Sequence, residues 1–207
     1  MPDGAPNRRS LHRQVHADPA GIRLLVLDVD GVLTDGRVQL DGRNPEPKMF
    51  HVRDGLALRQ WTTTGHHVGI ITGRTSPAVE ARAAELDIEA VFQGVADKGP
   101  VIVSLQERFG CSPDQTAVMG DDLPDLPMLR NCGYPMAPAD AAAEVRNAAA
   151  YVTAARGGFG AVREGIERLM QASGRWAEVI ARFDPHAPEV PADPGLKHAV
   201  RRDEERA

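Results

Sequence analysis

A short apolar run that ends in two carboxylates and a glycine constrains the fold of this chain more than any other feature. The run, Leu24 to Val29, is rich in Leu and Val and is closed by turn residues, which is the pattern of a buried strand. Side chains alternate along a strand, so Asp28 and Asp30 leave it on the same side. The pair is also compatible with an acidic turn that has no catalytic role. Two carboxylates this close favour a cation between them.

Strands and helices alternate along the rest of the chain. Further apolar runs predict strands at His67–Thr72, Ala90–Gln93, Thr116–Met119, Tyr134–Met136 and Tyr151–Val152. Helical patterns fall at about 54–61, 77–86, 98–109 and 161–172, with one more helix between the last two strands. This alternation predicts an α/β fold with a doubly wound, Rossmann-like parallel sheet that helices cover on both faces.

The stretch after the first strand predicts a β-hairpin insertion, at about residues 37–52. Two alternating runs, Arg37–Leu40 and Lys48–Val52, flank the turn pair Asp41-Gly42, although Pro45 and Pro47 lengthen the turn. The gap between Asp30 and Thr72 has room for this hairpin and one helix, and the gap between Lys98 and Gly120 only for a helix. Neither gap holds a separate cap domain.

Composition limits the class of protein. A length of 207 residues with 42% apolar residues indicates one domain with its own core. Residues 1–20 and 184–207 are polar or rich in Pro and charge, and are predicted to be a disordered arm and tail on a domain spanning 21–183. A net charge of −5 implies no general attraction to nucleic acid or anionic membranes. With no signal-like or bilayer-spanning segment and only Cys111 and Cys132, a soluble cytoplasmic protein is predicted.

Reactive side chains follow three of the predicted strands directly. Asp28 and Asp30 follow the first strand, Thr72 the second, and Asp121 and Asp125 the fourth. Each alone is commonly a turn residue or a helix cap, but ligands bind beyond the carboxyl ends of parallel strands, and three coincidences at that edge indicate a site. Carboxylates, a hydroxyl and a lysine suit phosphoryl transfer with Mg²⁺. An attacking aspartate would form an aspartyl-phosphate, and a second acid would protonate the leaving oxygen.

The order of these motifs resembles the haloacid dehalogenase-like phosphatase superfamily. The matching elements are Asp28-x-Asp30-Gly31-Val32-x-Thr34-Asp35, Thr72-Gly73-Arg74, Lys98 and Gly120-Asp121-x3-Asp125. Four further motifs resemble the family of 3-deoxy-D-manno-octulosonate 8-phosphate phosphatases, namely Lys48-x-Phe50-x-Val52-Arg53-Asp54-Gly55, Gln93-Gly94-x3-Lys98, Gly120-Asp121-Asp122-Leu123 and Gly157-Gly158-x-Gly160-Ala161-Val162-Arg163-Glu164. The likeness covers about residues 23–176. It implies a Mg²⁺-dependent hydrolase that releases phosphate from this sugar-acid phosphate in lipopolysaccharide precursor synthesis.

The resemblance also implies a role for each matched residue. Asp28 would be the nucleophile and Asp30 the acid and base, with Thr72 and Lys98 beside the phosphoryl group. The metal would be held by Asp28, the main-chain carbonyl of Asp30 and Asp121, supported by Asp122 and Asp125. Substrate contacts would come from Asp30, His51, Val52, Arg53, Asp54, Gly55, Arg59, Thr72, Gly73, Arg74, Arg82 and Lys98. Arginines suit a sugar acid because a guanidinium binds carboxylate or phosphate in bidentate fashion.

Four departures from the family pattern lie on the substrate side. His51 stands where the family usually has Asn, Ala57 where it has Gly and Phe159 where it often has Arg, and the hairpin turn holds two prolines. A related nonulosonate 9-phosphate or another sugar phosphate is therefore an alternative substrate, and His51 is equally compatible with a packed hairpin residue. An alternative of a different class is a phosphoacceptor receiver or a non-catalytic regulatory module. The first would leave Asp30 without a role, and the second would be expected to lack Asp28 or Asp30.

The resemblance further implies a homotetramer whose hairpins meet at its centre. The hairpin would present apolar Val38, Leu40, Met49 and Phe50. A two-stranded hairpin is marginal alone in water, and its free edges invite pairing with another chain. A neighbouring subunit would then supply the lid that a capless site lacks. The alternative is a hairpin that folds onto its own domain.

Overall fold

The first strand lies in the middle of a parallel sheet. In the computed structural model, which describes residues 16–40, 47–88, 90–184 and 186, the sheet has six strands in the order β3-β2-β1-β4-β5-β6. The strands are β1 Leu24–Leu27, β2 His67–Ile71, β3 Ala90–Phe92, β4 Thr116–Met119, β5 Tyr134–Ala137 and β6 Tyr151–Val152. The helices are α1 Val52–Thr63, α2 Pro77–Glu85, α3 Lys98–Phe109, α4 Leu126–Arg130, α5 Ala143–Ala148, α6 Ala161–Ala172 and α7 Trp176–Phe183. The α/β, doubly wound fold predicted from the sequence is confirmed.

All four residues of β1 are fully buried because helices cover both faces of the sheet. Leu25 and Leu27 belong to the core shared with Trp61 of α1 and Ile166 of α6. Leu24 and Val26 point to the opposite face, into the core that contains residues of α3, α4 and α5. A strand buried on both faces reads as a continuous apolar run, which is why the sequence signal at 24–27 was so clear.

Local capping fixes where two of the predicted helices begin and end. The hydroxyl of Ser76 accepts a hydrogen bond from Ala78 N at 3.3 Å, and Pro77 occupies the first helical position of α2. The carboxylate of Asp97 accepts from Gly99 N at 3.0 Å, and Gly110 ends α3 in the left-handed conformation. These caps place Lys98 in the first turn of α3, directly beside the carboxyl end of the sheet.

The predicted hairpin differs from the structure in its described parts. Residues 37–40 and 47–51 form no strands, and Val52 begins α1 instead of ending a strand; the turn residues 41–46 lie outside the described part of the chain. Proline at 47 lacks the N–H that a strand pair requires. Without a second sheet to pair with, a lone hairpin has little to hold it in register.

The described domain begins earlier than residue 21. Ala17 N donates to Gly133 O at 2.9 Å and Pro19–Gly21 forms a capped 3-10 helix, so these residues, which were predicted to lie in the N-terminal arm, are ordered. Residues 1–15 lie outside the described part, as does the predicted tail 184–207 except for Asp184 and His186. The helix α7, which no predicted helix covers, ends the described domain at Phe183. Among the helices described, none has the length and apolarity that a membrane crossing demands.

Candidate active site

The loop after β1 is a tight turn built around one carbonyl oxygen. The N–H groups of Val32, Leu33 and Thr34 all point at Val29 O, at 2.9–3.2 Å. Gly31 adopts a positive φ of 90°, and a side chain there would lie 2.0 Å from the carboxylate of Asp121. The glycine after the Asp pair therefore allows two acidic loops to approach each other.

Three carboxylates and one ammonium meet at the carboxyl edge of the sheet. Oxygens of Asp28, Asp121 and Asp125 lie within 4.8 Å of one another. Lys98 Nζ lies 2.8 Å from Asp28 Oδ1 and 2.6 Å from Asp125 Oδ1. The convergence of these residues, which follow β1 and β4 or begin α3, agrees with the strand-edge prediction.

Asp125 supports the cluster with both of its oxygens. Its Oδ1 accepts from Lys98, and its Oδ2 accepts from Asp121 N at 2.8 Å and Asp122 N at 3.3 Å. Asp122 is exposed, and its carboxylate accepts from Leu123 N. Asp122 and Asp125 therefore stabilise the loop after β4 through main-chain hydrogen bonds, and Asp28 and Asp121 are the carboxylates left to face a ligand.

The electrostatics of the cluster favour a bound cation. Burial, together with the neighbouring Asp125, raises the pKa of Asp28 to about 6 against the opposing effect of Lys98. Burial, with Asp125 and Asp28, raises the pKa of Asp121 to about 8. Burial opposes the charge on Lys98, yet the two adjacent carboxylates prevail and raise its pKa. Crowded carboxylate oxygens of this kind fit a hard divalent cation such as Mg²⁺.

Asp30 stands apart from the cluster and has its own cationic neighbours. Its Oδ1 contacts Lys48 Nζ, and Arg74 Nε lies 3.9 Å from its Oδ2. Arg74 was predicted here, but Lys48 was not assigned to the site. Its position in the Lys48-x-Phe50 motif, directly before α1, was the only signal in the sequence.

Thr72 and Gly73 take their predicted place at the end of β2. Thr72 is buried, its N–H donates to Phe92 O at 2.9 Å and its carbonyl accepts from Val95 N at 3.1 Å. Because β2 pairs with β1 in parallel register, Leu27 opposite Ile70, this end of β2 lies next to the end of β1 that carries Asp28.

The residues predicted to recognise the sugar acid divide into two groups. Arg82 pairs with Glu85 at 2.8 Å and reaches His51 O at 3.5 Å, and Arg59 donates to the main-chain carbonyl of Glu85. Gly55 lies under Arg82, where a Cβ would be 2.2 Å from Nη2. Arg82 and Gly55 line a small cavity with His51, whereas Arg74 lies with Asp30. The described contacts therefore do not bring the three arginines to one point.

The carboxylate of Asp54 is buried between α1 and the start of α6. It is 1% exposed, and its Oδ1 accepts from Arg163 N in the first turn of α6 at 2.7 Å. Burial raises its pKa against the opposing hydrogen bond. Val52 and Arg53, in contrast, are exposed at the start of α1. Asp54 thus holds the first turn of α6 through Oδ1 and also lines a small cavity with His51, and its contact with substrate stays a prediction.

The glycine turn before α6 packs against the loop that follows β1 in the same chain. Gly158 N donates to Val32 O at 3.0 Å, and a Cβ on Gly157 would lie 1.7 Å from Gly31 O. Asp140 accepts from Gly157 N at 3.0 Å. Glu164 accepts from Ala154 N and Ala155 N and from the hydroxyl of Tyr151, which anchors the approach to the turn. The turn therefore supports the loop that carries Asp30 and Gly31.

Gly157→Ala is expected to displace that loop. The added methyl group would overlap the main-chain carbonyl of Gly31, which cannot rotate away as a flexible side chain could. We expect at least a tenfold loss of activity and a fall in the free energy of unfolding of about 1–3 kcal/mol. Steady-state kinetics and denaturant melts measure both quantities. Gly21→Ala is the matched control, since Gly21 has open space around its Cβ position and an ordinary φ. Equal behaviour of the two variants would show that the close contact is dispensable.

The sequence and the fold of this chain are similar to those of known phosphatases. A sequence model described as haloacid dehalogenase-like hydrolase matches residues 90–163. The 3-deoxy-D-manno-octulosonate 8-phosphate phosphatase of Escherichia coli K12 is 42% identical over 164 residues, 79% of this chain and 87% of that protein. The enzyme of that name from Moraxella catarrhalis, solved with magnesium, phosphate and 3-deoxy-D-manno-octulosonate, has a TM-score of 0.78 and 37% identity, covering 80% of this chain and 95% of the other.

A cobalt-bound structure of the Haemophilus influenzae phosphatase gives a similar result, with a TM-score of 0.74 and 39% identity over 76% of this chain and 92% of the other. Identity near 40% over most of both partners, together with the same sheet and helices, extends well beyond the shared catalytic motifs. The chain therefore belongs to the haloacid dehalogenase-like hydrolases and, within them, to the family of 3-deoxy-D-manno-octulosonate 8-phosphate phosphatases.

Proposed function

We propose that this chain is a Mg²⁺-dependent phosphatase that releases phosphate from 3-deoxy-D-manno-octulosonate 8-phosphate through an aspartyl-phosphate on Asp28. The observation that carries the proposal is the pairing of Lys98 with Asp28 beside Asp121, with Asp30 two residues further along the same loop. A nucleophile, a separate acid and a cation-binding group are thus present at one sheet edge. The 3-deoxy-D-manno-octulosonate 8-phosphate phosphatases compared above align with most of this chain.

The residues divide the reaction into two displacements at phosphorus. An oxygen of Asp28 forms a bond to phosphorus as the bond to the sugar oxygen breaks, and Asp30 gives that oxygen its proton. In the second step Asp30 takes a proton from water, whose oxygen attacks the phosphoryl group and releases Asp28. Lys98 and Thr72 hold the non-bridging oxygens. Asp28, Asp121 and the main-chain carbonyl of Asp30 would hold Mg²⁺, which would supply positive charge against the phosphoryl oxygens.

A panel of sugar phosphates tests the substrate. Release of inorganic phosphate with Mg²⁺ is expected to be fastest for 3-deoxy-D-manno-octulosonate 8-phosphate, compared with a nonulosonate 9-phosphate and neutral hexose phosphates. A faster nonulosonate reaction would move the assignment to that alternative, which the departures at His51 and Phe159 keep open. Phosphate release from none of them, with stable phosphorylation from a small donor, would instead indicate a phosphoacceptor module.

The arginines are proposed to recognise the sugar acid. Arg59, Arg74 and Arg82, each changed to Ala, are expected to lower kcat/KM for the sugar-acid phosphate by about 1.5–3 kcal/mol, roughly 10- to 100-fold, because each loses a charge-assisted contact. Hydrolysis of an aryl phosphate, which has no sugar acid, is expected to fall much less. Equal losses on the two substrates would assign these arginines to the phosphoryl site or to the fold.

A homotetramer completed through residues 37–52 is proposed with this function. Leu40 and Met49 are 89% and 83% exposed, and Val38 and Val52 are exposed beside them, so this segment offers an apolar surface. Phe50, by contrast, packs against the core of its own domain. A cytoplasmic location is proposed as well, consistent with Cys111 and Cys132 being unpaired.

Met49→Asp is therefore the sharper test of assembly, because it charges the exposed surface without disturbing the core. Sedimentation velocity is expected to show smaller species and the assay a parallel fall in activity. Val103→Asp, an exposed apolar position on α3, is the control. A wild-type protein that is monomeric and fully active would refute the shared site.

A further inference from the structure

Lys48 turns inward between two residues, Pro47 and Met49, that are exposed. Its side chain is 4% exposed, whereas Met49 next to it is 83% exposed. The ammonium contacts Oδ1 of Asp30, whose own side chain is 21% exposed. A lysine is rarely buried without a charged partner, so the contact with Asp30 explains why the Lys48 side chain is buried.

The two carboxylates that act in the reaction thus have separate ammonium groups. Lys98 forms ion pairs with Asp28 and Asp125 in the acidic cluster, and Lys48 forms an ion pair with Asp30 outside it. Lys48 occupies Oδ1 of Asp30, whereas Oδ2 is buried, accepts no hydrogen bond among the described residues and forms only a long ion pair with Arg74 Nε at 3.9 Å. One oxygen of the carboxylate is thus held by a direct contact, and the other keeps its capacity to accept a hydrogen bond.

We propose that Lys48 is a positioning residue that fixes the Asp30 carboxylate for proton transfer at Oδ2. Holding Oδ1 restricts the rotation of the carboxylate and keeps it turned away from the acidic cluster. The inference rests on the proposed acid and base role of Asp30, and it adds a residue from the segment before α1 to that role. Lys48 itself bonds to no reacting atom.

Lys48→Met tests the proposal because it keeps length and removes the ammonium. A mispositioned Asp30 impairs the step that protonates a poor leaving group, so kcat for the sugar phosphate is expected to fall roughly tenfold or more with KM changed less than about threefold. With 2,4-dinitrophenyl phosphate, whose leaving group needs no proton, the first step is spared and hydrolysis of the phosphoenzyme is slowed. A burst of dinitrophenolate and trapped phosphoenzyme are then expected, and Lys48→Arg is expected to restore part of the turnover.

Two control variants make the outcome decisive. Arg37→Met removes a surface cation that is 88% exposed and lies 3.6 Å from Asp35, and it is expected to show no burst. Asp30→Asn is expected to show the burst; if it does not, the acid and base role fails and the Lys48 proposal fails with it. If Asp30→Asn shows the burst and Lys48→Met does not, only the Lys48 proposal fails.

Other results overturn the proposal in recognisable ways. A lower Tm with equal losses on both substrates and no burst would make Lys48 a structural anchor of residues 47–50. A higher KM with unchanged kcat would make it a substrate contact. Lys48→Gln, which keeps a hydrogen-bond donor but loses the charge, carries the same measurements if Lys48→Met does not fold.

Discussion

Asp28→Asn is expected to abolish turnover, with a loss of at least about 10³-fold in kcat while the fold is retained. The amide oxygen is a far weaker nucleophile than the carboxylate, and one candidate metal ligand loses its charge. The fold survives because Lys98 keeps Asp125 as a partner at 2.6 Å and repulsion among the three carboxylates decreases. Steady-state phosphate release and acid-quench trapping of phosphoenzyme measure the loss.

Asp35→Asn is the matched control for this experiment. Asp35 lies in the same loop, and its side chain pairs with exposed Arg37 instead of facing the cluster. The same chemical change there is expected to alter activity less than threefold. Activity of Asp28→Asn within about tenfold of wild type, or trapped phosphate on another residue, would eliminate Asp28 as the nucleophile.

Removing the divalent cation is expected to be nearly as severe. EDTA should lower activity at least about a hundredfold and added Mg²⁺ should restore it, because a phosphate dianion and three carboxylates repel one another strongly without a cation. Asp121→Ala is expected to raise the Mg²⁺ concentration needed for half-maximal activity far more than Asp122→Ala, whose exposed carboxylate caps Leu123 N. Full activity in chelated buffer would contradict a metal-dependent reaction.

The pH dependence of stability provides a second measure of the same site. The pKa values of Asp28 and Asp121, about 6 and about 8 without a cation, lie above the ordinary value of 3.8. From about pH 3.8 up to the raised pKa of each group, the folded chain binds more protons than the unfolded chain. The contribution of Asp28 and Asp121 to the stability of the metal-free protein therefore falls as pH rises through this range. Mg²⁺ requires the deprotonated carboxylates, and its stabilising effect should therefore grow over the same range. Calorimetric Tm with and without Mg²⁺ is expected to diverge from pH 6 to pH 8, and to diverge less in Asp121→Asn.

Much of the fold was predictable because local sequence and tertiary structure agree. The bounds of α3 and β4 match the prediction to the residue, since Asp97 and Gly110 mark the ends of α3 and an apolar run marks β4. The segment 37–51 was less predictable. Its alternating pattern favours strands, but no strand in the described residues pairs with it, and local propensity alone does not produce a ladder.

The same distinction applies to the site. Asp28, Thr72 and Asp121 could be located together because the strand-edge rule depends only on the order of elements. The positions of Asp54 and Lys48 could not, because each is decided by a partner distant in sequence. Asp54 accepts from a residue 109 positions further along the chain, and a buried acid that caps a helix has the same sequence signature as an acid that binds substrate.

The contact between the Gly157 turn and the Gly31 loop has a consequence for synthesis of the protein. The loop that carries Asp30 and Gly31 is made early, but the backbone that packs against it is encoded about 126 residues later. At ordinary translation rates this interval lasts on the order of ten seconds. Throughout that interval the nascent chain holds its acidic loop without the backbone that packs against it in the folded protein, so the loop is expected to reach its final shape only after the Gly157 turn has left the ribosome.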